Sequence, residues 1–111
     1  MTRKAVTKVA FATAALIATK CGKKVALLEE QVEINPNYSA PAYGLPSQET
    51  IMAIRMVAEL EVMITDPAYE GKSVVGLIYL CKNNGFKLGN KILYVHLDDT
   101  PAINAYYKAF E

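Results

Sequence analysis

Residues 91–97 read Lys-Ile-Leu-Tyr-Val-His-Leu. Ile92, Leu93, Tyr94 and Val95 form an unbroken apolar row containing β-branched and aromatic side chains. A strand with one wet face alternates polar and apolar residues, whereas a strand buried on both faces of a parallel sheet does not. Gly89-Asn90 stands before the row and Asp98-Asp99-Thr100-Pro101 after it, and both are turn-forming clusters. The stretch therefore predicts a central strand, which needs a neighbour on each side.

Outward from this strand the chain reads as helices. A last helix is expected from Pro101, a residue suited to the first helical position, through Ile103 and Tyr107. Upstream, Val75, Ile78 or Tyr79, and Cys81 or Lys82 fall at helical spacing from about Lys72 to Lys82, and Asn83-Asn84-Gly85 closes that helix. Ser47 reads as an N-cap with Glu49 in the first turn of a helix running to about Met63. Ile51, Ile54, Val57 or Ala58, and Leu60 or Glu61 make its stripe, and Asp66-Pro67 ends the helical region. Pro36, Pro41, Gly44 and Pro46 define a loop that also carries Tyr38 and Tyr43. Gln31–Ile34 alternates and reads as a short strand. Before it lies an alanine-rich helix with Val6, Val9, Ala10, Thr13 and Ile17 on one side, stopped by Gly22. The expected order is helix, strand, loop, helix, helix, strand, helix, an open α/β arrangement. Two strands do not make such a sheet, so the expectation is one partial domain over residues 1–111, without an internal boundary and incomplete on its own.

Composition narrows the function classes. The chain has 111 residues, 52% hydrophobic and 21% charged, as expected of a globular protein. Its 12 Lys+Arg against 11 Asp+Glu leave a net charge of +1, which argues against a nucleic-acid partner. Cys21 and Cys81 form no CxxC, and His96 is the single histidine, so neither a disulfide framework nor a His-rich metal site is expected. The N-terminal segment is basic, with no acid before Glu29, which fits a mitochondrial presequence as an alternative to a helix of a cytoplasmic domain. Its exit, Thr19-Lys20-Cys21-Gly22, lacks the small-x-small pattern of a signal peptidase site, and the apolar run is too short to cross a membrane.

No phosphate-loop, nucleophile-elbow or zinc-protease pattern occurs. Cys–His catalysis with Cys21 or Cys81 has no local support, and Asp98, Asp99 and His96 read as a cap more readily than as a metal site. The unusual residues gather in three places: Tyr43-Gly44-Leu45-Pro46, Asp66-Pro67-Ala68-Tyr69-Glu70-Gly71-Lys72-Ser73, and His96-Leu97-Asp98-Asp99. In an open α/β fold, Tyr43, Tyr69, Glu70 and Leu97 would converge beyond the strand ends.

These motifs resemble a known family. Ala42-Tyr43-Gly44-Leu45-Pro46, Ala53-Ile54-Arg55, Ala58-Glu59-Leu60-Glu61, Thr65 through Ser73, Leu93-Tyr94-Val95-His96-Leu97 and Pro101 through Tyr106 occur in order. They are similar to the C-terminal third of 1-aminocyclopropane-1-carboxylate deaminase and of its sister, D-cysteine desulfhydrase. The resemblance implies the tryptophan-synthase-β-like fold of pyridoxal 5′-phosphate enzymes, with a mostly parallel three-layer sheet. It implies Tyr69 and Tyr43 as catalytic residues beside the substrate, Glu70 as the carboxylate facing the pyridine nitrogen, and Leu97 beside the cofactor. The Glu70 and Leu97 pair follows the deaminase pattern rather than that of the desulfhydrase. The implied reaction converts 1-aminocyclopropane-1-carboxylate and water to 2-oxobutanoate and ammonia. Two departures stand against cofactor binding by this chain alone. Asp98-Asp99 replaces the Gly-Gly of the family, and the Schiff-base lysine and phosphate loop of the family lie upstream of the region that is matched. Lys72 belongs to the Glu-Gly-Lys motif. The expected partners are a small amino-acid substrate and an upstream enzyme segment or homologous subunit. A non-catalytic remnant is the alternative.

Overall fold

The computed structural model describes residues 2–39, 41–97 and 100–111. Asp98 and Asp99, whose replacement of Gly-Gly bears on cofactor binding, lie outside the described residues. The chain divides into two compact units, Met1–Asn35 and Pro36–Glu111.

In the first unit, helix α1 spans Arg3–Cys21. Thr2 caps it by accepting from the Ala5 amide, and Gly22 ends it in the left-handed region at φ 66°. Thr7 and Ala14 are buried and Ala10 and Ala18 half-buried, whereas Val9 and Ile17 are exposed. Of the expected side, Val6 and Ala10 are half-buried while Val9, Thr13 and Ile17 are exposed, and the most covered residues are Thr7 and Ala14. Apolar residues surround this helix, so its sequence carries no single stripe to choose a face. The expected strand at Gln31–Ile34 does not form. Glu29–Gln31 is a turn of 3₁₀ helix, held by the Leu28 amide donating to Gln31 Oε1 at 2.8 Å, and the residues after it are irregular.

The second unit is built on α2 (Gln48–Glu61) and α3 (Gly71–Lys82). Ser47 Oγ accepts from the Thr50 amide at 3.2 Å and starts α2. The backbone amide of Glu49 itself and the Ser47 side chain hold the Glu49 carboxyl below its usual range. Thr50, Ile51, Ala53, Ile54 and Val57 are buried, a stripe of period 3.6. Ala53 and Val57 pack with Val74 of α3, and Met63, Val75, Ile78 and Tyr94 border this small core. The Tyr38 ring lies against Gly76, where a Cβ would come within 2.9 Å of it. Asn84 at φ 57° and the Gly85 amide bonding back to the Leu80 carbonyl at 2.8 Å end α3 as its sequence predicts.

Helix α2 ends two residues before Met63. Val62 adopts φ 56°, ψ 25°, a left-handed conformation that crowds a β-branched side chain. Its side chain is 84% exposed and so gains little from packing there. Val62→Gly is therefore expected to stabilise the protein by about 1 kcal/mol, a gain that relief of the left-handed strain supplies. Thermal melting checks this, and an unchanged or lower Tm contradicts it.

The open parallel α/β sheet does not form. Among the described residues there is no strand, and the only bridge outside strands is the antiparallel contact of Ala42 with Leu45. The stretch 91–97 carries no regular structure, and its apolar side chains are open to solvent, with Leu93 89% and Leu97 70% exposed. A strand takes its hydrogen bonds from other strands, and no described segment offers it a ladder. The apolar row marked a segment suited to burial, but composition alone does not supply the neighbours. The final helix is also of a different kind. Thr100–Phe110 is 3₁₀ in character, kinked at Tyr106. Arg55 ties down its end by donating to the Phe110 carbonyl. No helix of the described chain is long and apolar enough to cross a membrane.

Candidate functional site

The loop between α2 and α3 is folded around one side chain. Asp66 is fully buried, and its Oδ2 accepts from the amides of Ala68 and Tyr69, each at 2.7 Å. Its Oδ1 accepts from the Glu70 amide at 3.2 Å, and its carbonyl accepts from the Gly71 amide at 2.8 Å. An Asp at this place satisfies the amides that lead into a helix, and a buried carboxylate requires donors of this kind. The effect is to fix Tyr69 and Glu70 in adjacent positions at the start of α3.

Tyr43 arrives from a turn that is anchored three times. Gly44 at φ 71° reverses the chain, and the Leu45 amide bonds to the Ala42 carbonyl at 3.2 Å. Lys72 Nζ donates to the carbonyls of Ala42 and Ser39, and the Tyr106 hydroxyl donates to the Gly44 carbonyl at 2.9 Å. With the turn fixed, the Tyr43 hydroxyl donates to the Tyr69 hydroxyl at 2.9 Å, and the rings meet edge to face with centroids 5.9 Å apart. Both phenols remain exposed. Because Tyr43 is the donor, the Tyr69 hydroxyl keeps its own proton for a further acceptor.

Glu70 faces the other way, and only 3% of it is exposed. Its Oε1 accepts from the Leu97 amide and its Oε2 meets His96 Nδ1 at 2.5 Å. An ionised carboxylate only accepts, so Nδ1 carries the proton in this pair. The segment that brings these donors is pinned one step earlier. The Tyr94 hydroxyl lies 2.7 Å from Ser73 Oγ, which itself donates to the Glu70 carbonyl at 2.8 Å. Burial pushes the Tyr94 phenol above its usual 10.0; the Ser73 hydrogen bond pulls it back, and the charges of Glu70 and Asp66 push it further up.

The structure joins the four residues singled out in the sequence in two pairs, linked only by the adjacency of Tyr69 and Glu70 in the chain. Tyr43 and Tyr69 touch through their hydroxyls, and Glu70 is joined to Leu97. Leu97 contributes its backbone amide rather than its side chain, which is 70% exposed. Sequence reasoning missed Asp66 as a ligand of the loop, although an aspartate two to four residues before unpaired amides is a recognisable Asx pattern. It places His96 and Ser73 among the unusual residues and Tyr94 in the expected strand, but it does not give the pairings His96–Glu70 and Ser73–Tyr94, which join residues more than 20 positions apart and leave no local signal. Both cysteines are free and exposed, and the described residues contain no cluster able to hold a metal ion.

The donor set also tests the fit to pyridoxal 5′-phosphate. Its pyridine nitrogen needs a carboxylate, its aldehyde a free lysine and its phosphate a set of amides. Of the two buried carboxylates here, Asp66 accepts from three amides of its own loop and Glu70 already takes two hydrogen bonds from its own chain. The lysine nearest in sequence, Lys72, has its amine bound to two carbonyls. The residues of this chain do not, by themselves, fit the group.

The chain is 49% identical over 105 residues to the 1-aminocyclopropane-1-carboxylate deaminase of Rhizobium leguminosarum bv. viciae, covering 95% of this chain and 30% of that protein. It is 47% identical over 109 residues to the enzyme of the same name from Bradyrhizobium diazoefficiens, covering 98% of the chain and 31% of the relative. A probable 1-aminocyclopropane-1-carboxylate deaminase of Schizosaccharomyces pombe is 43% identical over 110 residues, 99% of the chain and 31% of the relative. No protein-family model matches. The chain resembles the 1-aminocyclopropane-1-carboxylate deaminases over nearly its whole length, and it spans about 30% of theirs.

Proposed function

We propose that this chain, homologous to about 30% of a 1-aminocyclopropane-1-carboxylate deaminase, supplies the phenol and carboxylate side of a ring-opening deaminase site that a second segment completes. The observation that carries the reading is the Tyr43–Tyr69 hydroxyl pair beside the buried Glu70, in a chain 49% identical to such an enzyme. Pyridoxal 5′-phosphate, with its Schiff-base lysine and phosphate cradle, belongs on the second segment, since this chain lacks a fitting set. On this side, Tyr69 presents a proton to a small amino-acid substrate and Tyr43 orients it. Proton donation from a placed side chain is worth about 10²–10⁴ in rate. The overall conversion takes the cyclopropane amino acid and water to 2-oxobutanoate and ammonia. Two exposed free thiols accord with a reducing, cytoplasmic setting.

The test is co-expression of this chain with the remaining length of the Rhizobium leguminosarum relative, reading 2-oxobutanoate formation. Activity is expected from the pair and from neither alone, and Tyr69→Phe is expected to lower it by about 100-fold. A second reading, a non-catalytic partner of a homologous subunit, is favoured by the exposed Leu93, Val95 and Leu97. A stable but inactive complex selects that reading, and failure to form any complex overturns both.

A further inference from the structure

We propose that Tyr43 and Tyr69 form a site of oxidative cross-linking, at which a peroxide-driven one-electron oxidant joins the two rings as dityrosine. Three observations converge. The hydroxyls lie 2.9 Å apart and the ring centroids 5.9 Å apart, so the edges that carry the hydroxyls meet. The carbons that form dityrosine are those beside each hydroxyl, on the same edges. Tyr43 is 76% and Tyr69 55% exposed, so a soluble oxidant reaches both and each ring has room to turn out of the edge-to-face arrangement. The backbones beneath them are fixed. Lys72 Nζ and the Tyr106 hydroxyl hold the Tyr43 turn, and the Asp66 carboxylate holds the Tyr69 amide at 2.7 Å. Groups kept side by side in this way react within one molecule rather than by chance encounter of two.

The step balances as follows. Each phenol gives one electron to the oxidant and its hydroxyl proton to water. The two phenoxyl radicals share their spin with the carbons beside the oxygen and form one carbon–carbon bond, from a Cε of Tyr43 to a Cε of Tyr69. The proton on each joined carbon then passes to the oxygen of its own ring, which restores both hydroxyls. Two electrons and two protons leave in all, and one hydrogen peroxide takes them up to give two waters. The Tyr43 turn is then tied covalently to the start of α3. A second tyrosine pair provides the contrast. Tyr38 and Tyr79 have centroids 6.0 Å apart, but Tyr38 is half-buried with its ring laid against Gly76. The proposal stands on the geometry of the phenol pair and does not depend on the reaction proposed above.

The test treats the dilute full chain with a peroxidase and hydrogen peroxide, and reads dityrosine fluorescence in the monomer band of a denaturing gel. Trypsin then cuts after Lys24, Arg55, Lys72 and Lys82, which places Tyr38 and Tyr43 on residues 25–55, Tyr69 on 56–72 and Tyr79 on 73–82. The expected product is 25–55 joined to 56–72, two hydrogens lighter than the separate peptides together, with fragmentation placing the link on Tyr43. Tyr43→Phe and Tyr69→Phe are each expected to lower the monomer fluorescence by about tenfold, whereas Tyr107→Phe, at another exposed tyrosine, leaves it unchanged. A product joining 25–55 to 73–82 instead, coupling only between molecules, no coupling, or equal fluorescence in Tyr69→Phe and the wild type overturns the proposal. If a Phe variant does not fold, the digest of the wild type still decides.

Discussion

Asp66→Ala is expected to destabilise residues 36–111 by about 4 kcal/mol, a large part of the 5–15 kcal/mol that holds a domain together. The carboxylate is fully buried and accepts from three amides, those of Ala68, Tyr69 and Glu70. Hydrogen bonds to a charged acceptor contribute about 1.5–3 kcal/mol each, and their loss strands the amides without partners. The three act through one group, so their contributions do not add fully. Asp66→Asn keeps one acceptor oxygen and is expected to lose about half as much. The chain has no tryptophan, so far-UV circular dichroism in urea is the suitable readout. A midpoint within experimental scatter of the wild type would show that the loop does not depend on this side chain. The same variant is expected to separate Tyr69 from Tyr43, because the loop that sets their contact is the one Asp66 closes.

Gly71→Ala is expected to destabilise by about 3 kcal/mol, opposite in sign to the usual gain from alanine in a helix. Gly71 opens α3 at the point where it crosses α2. An added Cβ would lie 2.8 Å from the Asp66 carbonyl oxygen, 2.8 Å from Ile54 Cδ1 and 2.8 Å from Thr50 Cγ2. Side-chain ends can shift, but the carbonyl is held by the Gly71 amide itself at 2.8 Å. Gly76→Ala is the informative comparison. Its Cβ meets only the Tyr38 ring, at 2.9 Å, and a ring on a loop can tilt away. Chemical denaturation of the two variants should therefore rank Gly71→Ala well below Gly76→Ala, and equal midpoints would refute the close approach of α2 and the Asp66 loop.

Elements whose causes are local were legible in the sequence. The start of α2 follows from Ser47 and the end of α3 from Asn83-Asn84-Gly85, because caps and turns are decided by residues within a few positions of one another. The buried stripe of α2 follows from period 3.6. The resemblance read from the ordered motifs agrees with relatives that match over nearly the whole chain. The N-terminal helix was legible as a helix but not in its covered face, since its apolar residues lie all round it.

The sequence by itself determined the existence of α1, α2 and α3, the start of α2 and the end of α3. Tertiary structure alone decided three things. Residues 91–97 stand unpaired rather than in a sheet, because a strand is a property of its neighbours and not of its own composition. Asp66 organises the loop rather than merely ending a helix, because its carboxylate is enclosed and must collect amides. Glu70 is paired with His96 and Leu97, residues 26 and 27 positions away, because a buried charge takes whatever donors the fold brings to it.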